Sequence, residues 1–310
     1  MEDLQLTTTM EAMRKQEYYY YGDACGDYLL RARGISTDNY SKSNKVKVNV
    51  DHGNREAMAE WSYKVVEYLG FSAETVEISM NYFDRYLSTP VGSTSLACAK
   101  QFQLANMVCL YLSIKLHEEV ILDSKFMSNL SNGLFSYDQV EAMELHILHV
   151  LQWWVTPPTS QAFLREYMHL LPAAVSDDTK EKTMALCELQ VKASVLDYNF
   201  VSARASTVAL CAVVNALKIL GMDNVLLGHI ASLLSYASCV DLEDISEGLQ
   251  QTLYETILVD IPHLCTGGEI AVSETAKTGI ICKDGVSTHD ELDGNDDRAM
   301  MTGSPCGVFL

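Results

Sequence analysis

None of the nine cysteines forms a Cys-x-x-Cys pair, which excludes a paired-thiolate zinc site and a thioredoxin-type redox motif. The sequence also has no glycine-rich phosphate loop, no His-Glu-x-x-His and no Gly-x-Ser-x-Gly. The usual nucleotide-binding, metalloprotease and serine-hydrolase signatures are therefore missing. Eight histidines are dispersed, and His117, His146 and His149 do not stand at ligand spacing, so no metal and no other cofactor is expected. Basic residues are scarce: 22 Lys and Arg face 41 Asp and Glu, a net charge of -19. That balance argues against nucleic acid as the main partner and against an anionic membrane surface. It fits plain solubility or, more sharply, a basic protein partner. The N-terminus MEDLQLTTTM is acidic and polar, unlike a signal peptide. Cys109 and Cys211 sit in apolar helical runs and read as small core residues of a reducing compartment. A soluble intracellular protein is expected, and a binding module rather than an enzyme.

What the chain does have is QFQLANMVCLYLSIKLHEE, Gln101 to Glu119, with no charged side chain between Lys100 and Lys115. A helix that is apolar all round either spans a membrane or forms the centre of a bundle. This run is too short for ~30 Å of hydrocarbon and is stopped by Lys115, His117, Glu118 and Glu119. It reads as the buried central helix of an all-α domain.

Capped helices surround it. Asn54 is a plausible start for REAMAEWSYKVVEYLG, with Gly70 as its stop, and Ser72 caps AETVEISMNYFDRYLS. A short helix over Ser124–Leu130 ends at Asn132-Gly133, and Ser136 with Gln139 makes a capping box for SYDQVEAMELHILHVLQW. After Val155-Thr156-Pro157-Pro158 the pattern repeats, with Thr159 opening TSQAFLREYMHLL. The third helix of the repeat, RASTVALCAVVNALKILG, is again apolar and again ends on one lysine, Lys218; Asp241 caps the last. Two successive five-helix units with no useful β alternation make the class all-α. The expected organisation is an N-terminal helix and linker over 1–50, helical units over 51–156 and 157–262, and a tail over 263–310. Residues 1 to about 9 should fray, and a helical pattern runs from Met10 to Leu30 through four tyrosines, Tyr18 to Tyr21. From Cys265 to Leu310 eight acidic residues face three basic ones, net -5, and the tail reads as disordered, with Ser304-Pro305 as a minimal phosphorylation site.

Two charge pairs fall on helices that should be buried. Glu144 shares a stripe with Val140, Ile147 and Leu151, where a carboxylate is costly without a partner, and Lys115 is the natural one. Arg55 and Asp84 form the second pair. Both can be intramolecular salt bridges, and for Arg55 and Asp84 that reading is favoured. Lys115 and Glu144 would in addition be displayed together near helix ends beside exposed apolar side chains.

Arg55 with Trp61, YFDRYLS at 82–88, QL at 103–104, YLSIKLHEE at 111–119, ME at 143–144 and WWVTPPT at 153–159 occur in one order. In that order and spacing the chain resembles the cyclin family over roughly residues 10 to 260, and YLSIKLHE is most similar to cyclins of diatoms. The second unit is similar through SVLDYNFVSARASTVALCAVV, with Ala205 where the family commonly has proline. The resemblance implies tandem cyclin boxes and a regulatory subunit of a cyclin-dependent protein kinase, in nucleus and cytoplasm and serving cell division. It implies that Lys115 and Glu144 engage the kinase's regulatory helix, with Phe126 and Leu130 on the same surface and the N-terminal helix as a second contact. It also implies a groove for Arg-x-Leu peptides at Met58, Trp61 and Gln103, although Asn54 and Ala57 stand where larger apolar residues are usual. Two other readings have different signatures. A DNA-binding transcription-factor cyclin fold would carry basic surfaces and a zinc ribbon, and a scaffold without a kinase would tolerate charge reversal at Lys115.

Overall fold

The computed structural model describes residues 2–18, 26–33, 48–120, 122–240 and 247–260, and every regular element in them is helical. The helices are α1 (Glu2–Gln16), α2 (Tyr28–Ala32), α3 (His52–Leu69), α4 (Ala73–Ser88), α5 (Ala99–His117), α6 (Ser124–Leu130) and α7 (Tyr137–Val150), then α8 (Ser160–Leu170), α9 (Asp177–Leu196), α10 (Ala205–Ile219), α11 (Asn224–Ser238) and α12 (Glu247–Asp260). The tail and Ser304, Tyr19 to Tyr21, and Asp241 lie outside the described residues.

Helices α3–α7 form the first unit around α5. Every residue from Phe102 to Ile114 is buried, as the absence of charge along this run requires. Local capping fixes the surrounding helices. Ser72 accepts from Glu74 N–H, and Ser136 and Gln139 make a reciprocal box. Gly70 closes α3 at φ 70°, a left-handed position that suits glycine. The start of α3 is corrected: Asp51 is its N-cap, and Asn54 is the box partner whose side chain accepts from Asp51 N–H at 2.9 Å.

Helices α8–α12 repeat the plan around α10, where Val208 to Val213 are all buried. Thr159 caps α8 and Ser176 caps α9. A buried amide ladder crosses this core, with Asn215 Nδ2 donating to Gln190 Oε1 at 3.0 Å and Gln250 Nε2 donating to Asn215 Oδ1 at 3.1 Å. Each member finds a partner, which such a network needs to be stabilising.

The N-terminal helix begins earlier than expected. α1 already runs from Glu2, and its later part docks on the second unit. Met10 is 2% exposed within that unit's core. Glu17 accepts from Ser206 N–H at 2.8 Å and from Ser206 Oγ at 2.5 Å. Arg204, the N-cap of α10, gives no side-chain cap of its own, so the Glu17 carboxyl group, just beyond the end of α1, caps the central helix of the second unit.

Candidate functional site

The last turn of α5 and the middle of α7 bring Lys115 Nζ to 2.5 Å from Glu144 Oε1, with 35% and 17% of the two side chains exposed. The ammonium also lies over the Tyr111 ring, 4.9 Å from its centre. Burial alone would lower the Lys115 pKa, but the hydrogen bond and charge of Glu144 outweigh it and hold the ammonium above its ordinary value. The ammonium is therefore held charged, and the pair is partly open to solvent. Next to it in sequence, Leu116 and Leu145 are 48% and 54% exposed.

The turn after α7 is fastened to the same end of the unit. Tyr82 Oη donates to Val155 O, and His117 Nε2 stands 3.0 Å from Tyr82 Oη and 3.1 Å from Val155 O. Buried Arg85 donates to Trp154 O at 2.8 Å. Inside this clamp Gln152 and Trp153 both have positive φ, 54° and 62°, which a bulky residue adopts only under constraint. The result is that Trp153 stands 59% exposed. Sequence reasoning used WWVTPPT only as a family marker and missed this display, since no local signal announces a left-handed Trp.

Helix α6 is tied to α7 by Ser124 Oγ donating to Glu141 Oε1 at 2.7 Å. Phe126 is partly buried against the first core. Leu130 is 6% exposed and packs within that core.

Arg55 and Asp84 belong to the interior. Arg55 Nε and Nη2 donate to Asp84 Oδ1 and Oδ2 at 2.9 and 2.7 Å. Its Nη1 donates to Val195 O and Leu196 O, the C-terminal carbonyls of α9, at 2.8 and 3.1 Å. Tyr28 Oη donates to Asp84 Oδ1 at 2.9 Å, which ties α2 to the pair. One guanidinium thus links both units and satisfies carbonyls that a helix end leaves open.

Met58, Trp61 and Gln103 are 2%, 1% and 4% exposed. These three residues, expected to line a peptide groove, pack inside the first unit. Among the described residues no group of His, Cys, Asp and Glu could hold a metal ion, and no helix is long and apolar enough to cross a membrane.

Comparison with known proteins gives these geometries a family. The model of the cyclin N-terminal domain matches residues 27–156, and that of the cyclin C-terminal domain matches 158–258. The chain is 26% identical to a G1/S-specific cyclin-D1 of Xenopus laevis over 63% of its own length and 65% of that protein's. It is 28% identical to a cyclin-A1-4 of Oryza sativa subsp. japonica over 40% and 33% of the two lengths. A G2/mitotic-specific cyclin-2 of Saccharomyces cerevisiae is 25% identical over 55% and 32%. The chain thus spans less than two thirds of the length of each of these relatives. Among solved structures, a viral cyclin from herpesvirus saimiri superimposes with a TM-score of 0.56 over 80% of this chain and 96% of that one, at 13% identity, which speaks for the fold. With both domain models matched in tandem over most of its length, the chain belongs to the cyclin family.

Proposed function

We propose that this chain is the regulatory subunit of a cyclin-dependent serine/threonine protein kinase, which it binds and activates through the Lys115–Glu144 end of its first unit. The observation that carries the reading is the half-open Lys115–Glu144 pair, flanked in sequence by the exposed side chains of Leu116 and Leu145. Apolar area would supply affinity, and the two charges would fix register and exclude wrong partners. Trp153, exposed on a rigid turn, has the character of an interface anchor, and Phe126 lies at the edge of the same unit. Activation follows by population shift: binding the active arrangement of the kinase's regulatory helix more tightly than the inactive one moves the equilibrium toward it. The chain supplies no catalytic group in this scheme.

A role in cell division, in nucleus and cytoplasm, goes with the reading, as do the domain limits 51–156 and 157–262 set out above. The closed state of Met58, Trp61 and Gln103 gives no support to Arg-x-Leu peptide docking. Titrating a purified cyclin-dependent kinase with wild-type chain and with Lys115→Ala tests the central contact. An affinity loss of about 2 kcal/mol or more, some thirtyfold, is expected. Equal affinity would remove the proposal.

A further inference from the structure

Helix α11 carries no Asp, Glu, Lys or Arg over its 15 residues, in a chain where 20% of residues are charged. Its inward side is occupied. Ile230 and Leu234 are fully buried in the second core, and α10 and α1 pack against the helix. Its outward side is open and largely apolar. Tyr236 is 84% exposed, Val225 66% and Leu233 41%, and Gly228, His229 and Ser232 are exposed between them. At 3.6 residues per turn these six positions form one stripe. The Ser232 hydroxyl donates back to Gly228 O at 2.9 Å, so it needs no outside acceptor. A Cβ built on Gly228 would meet nothing within 4 Å, which leaves a notch in the stripe.

We propose that this face seats a second copy of the chain, packed antiparallel on α11 about a two-fold axis at the level of Ile230 and Ala231. The order of side chains along the stripe selects this partner. Reversing the helix about that point sets Tyr236 of one copy on Val225 of the other, Leu233 over the notch at Gly228, and His229 beside Ser232. One patch therefore complements itself, as an isologous contact requires. Antiparallel packing also brings the positive N-terminal end of each helix to the negative C-terminal end of its mate.

Charge selects the place. Two chains of net charge -19 repel each other, and contact is least opposed where the touching surfaces carry no charge. A strongly charged partner would find nothing on α11 to pair with. A helix of this length spans about 22 Å, and one such face falls short of the ~800 Å² per partner of a stable interface. The dimer is therefore weak, with a dissociation constant of about 100 µM. It uses neither Lys115 nor Glu144 and stands or falls apart from the kinase reading.

Sedimentation equilibrium of the full chain, from about 10 to about 500 µM, tests it. Monomer should give way to dimer as concentration rises. Raising the salt from about 50 to about 500 mM should strengthen association, because it screens the repulsion between the chains. Val225→Lys and Tyr236→Glu, both at exposed positions, should leave the circular dichroism unchanged and each weaken association about tenfold or more. Combined in one chain they keep the net charge, and the new cation of each copy faces the new anion of the other. The double variant should therefore associate more tightly than either single variant. A chain that stays monomeric at about 500 µM, association that weakens with salt, single variants that dimerise like wild type, or a double variant no tighter than the singles overturns the proposal.

Discussion

Arg55 lies 2.7 Å from Asp84 with 3% and 6% of the two side chains exposed. The same separation of 29 residues joins Lys115 to Glu144 at 2.5 Å, but there the exposures are 35% and 17%. Geometry is nearly equal and burial is not, and burial decides what each pair is for. A closed pair that also satisfies two helix carbonyls holds the fold. A partly exposed pair contributes little to stability, which leaves it free for the partner contact proposed above.

Thermal and denaturant unfolding should separate the two. Arg55→Met leaves the Asp84 charge buried and the α9 carbonyls unsatisfied, so a loss of about 3–5 kcal/mol is expected. Lys115→Met should cost less than about 1 kcal/mol. Equal losses would contradict the assignment of the two roles.

Trp153 allows stability and binding to be pulled in opposite directions. Its φ of 62° is natural for glycine and strained for tryptophan, and its side chain is 59% exposed. Trp153→Gly should leave the unfolding free energy unchanged or raise it by about 1 kcal/mol of relieved strain. It should weaken kinase binding by about 1–2 kcal/mol. A loss of stability with unchanged binding would make Trp153 a packing residue.

The cap that Glu17 supplies to α10 carries a pH dependence. Burial pushes the Glu17 carboxyl above its ordinary value, against the hydrogen bonds of Ser206 and the charges of Arg204 and Arg14. The folded state then holds the proton more tightly than the unfolded chain. The stability Glu17 contributes is fullest below about 4.5, the unfolded value, and is lost as pH rises through the raised folded value. Glu17→Gln should therefore gain on wild type as pH rises from acid to neutral, in urea titrations at each pH. Glu17→Ala should lose about 1 kcal/mol with the cap.

The fold was legible where its causes are local. The caps at Ser72, Ser136 and Thr159 and the stop at Gly70 depend on a few neighbouring residues, and the uncharged run ending at Lys115 marks the central helix by composition alone. The start of α3 was misread because Asn54 has the right side chain for a cap but serves Asp51 as its box partner. The start of α1 was missed because Met10 and Glu17 hold that helix through contacts with residues almost two hundred positions away. Periodicity says that Met58, Trp61 and Leu130 face inward but not whether that face stays open, and here it is closed. The Lys115–Glu144 pairing was legible because a carboxylate on the stripe of Val140, Ile147 and Leu151 needs a cation, and α5 has one in its last turn.

The most direct test of the kinase assignment exchanges the two charges. The Lys115→Glu, Glu144→Lys double variant keeps the net charge and can keep an internal bridge, and circular dichroism should confirm an intact helical fold. Wild-type chain mixed with a purified cyclin-dependent kinase should stimulate ATP-dependent phosphorylation of a Ser-Pro peptide, and the folded double variant should not. Equal stimulation by the two would show that this end of the first unit is not the activating surface, and no stimulation by either would contradict a kinase-regulatory role with that enzyme.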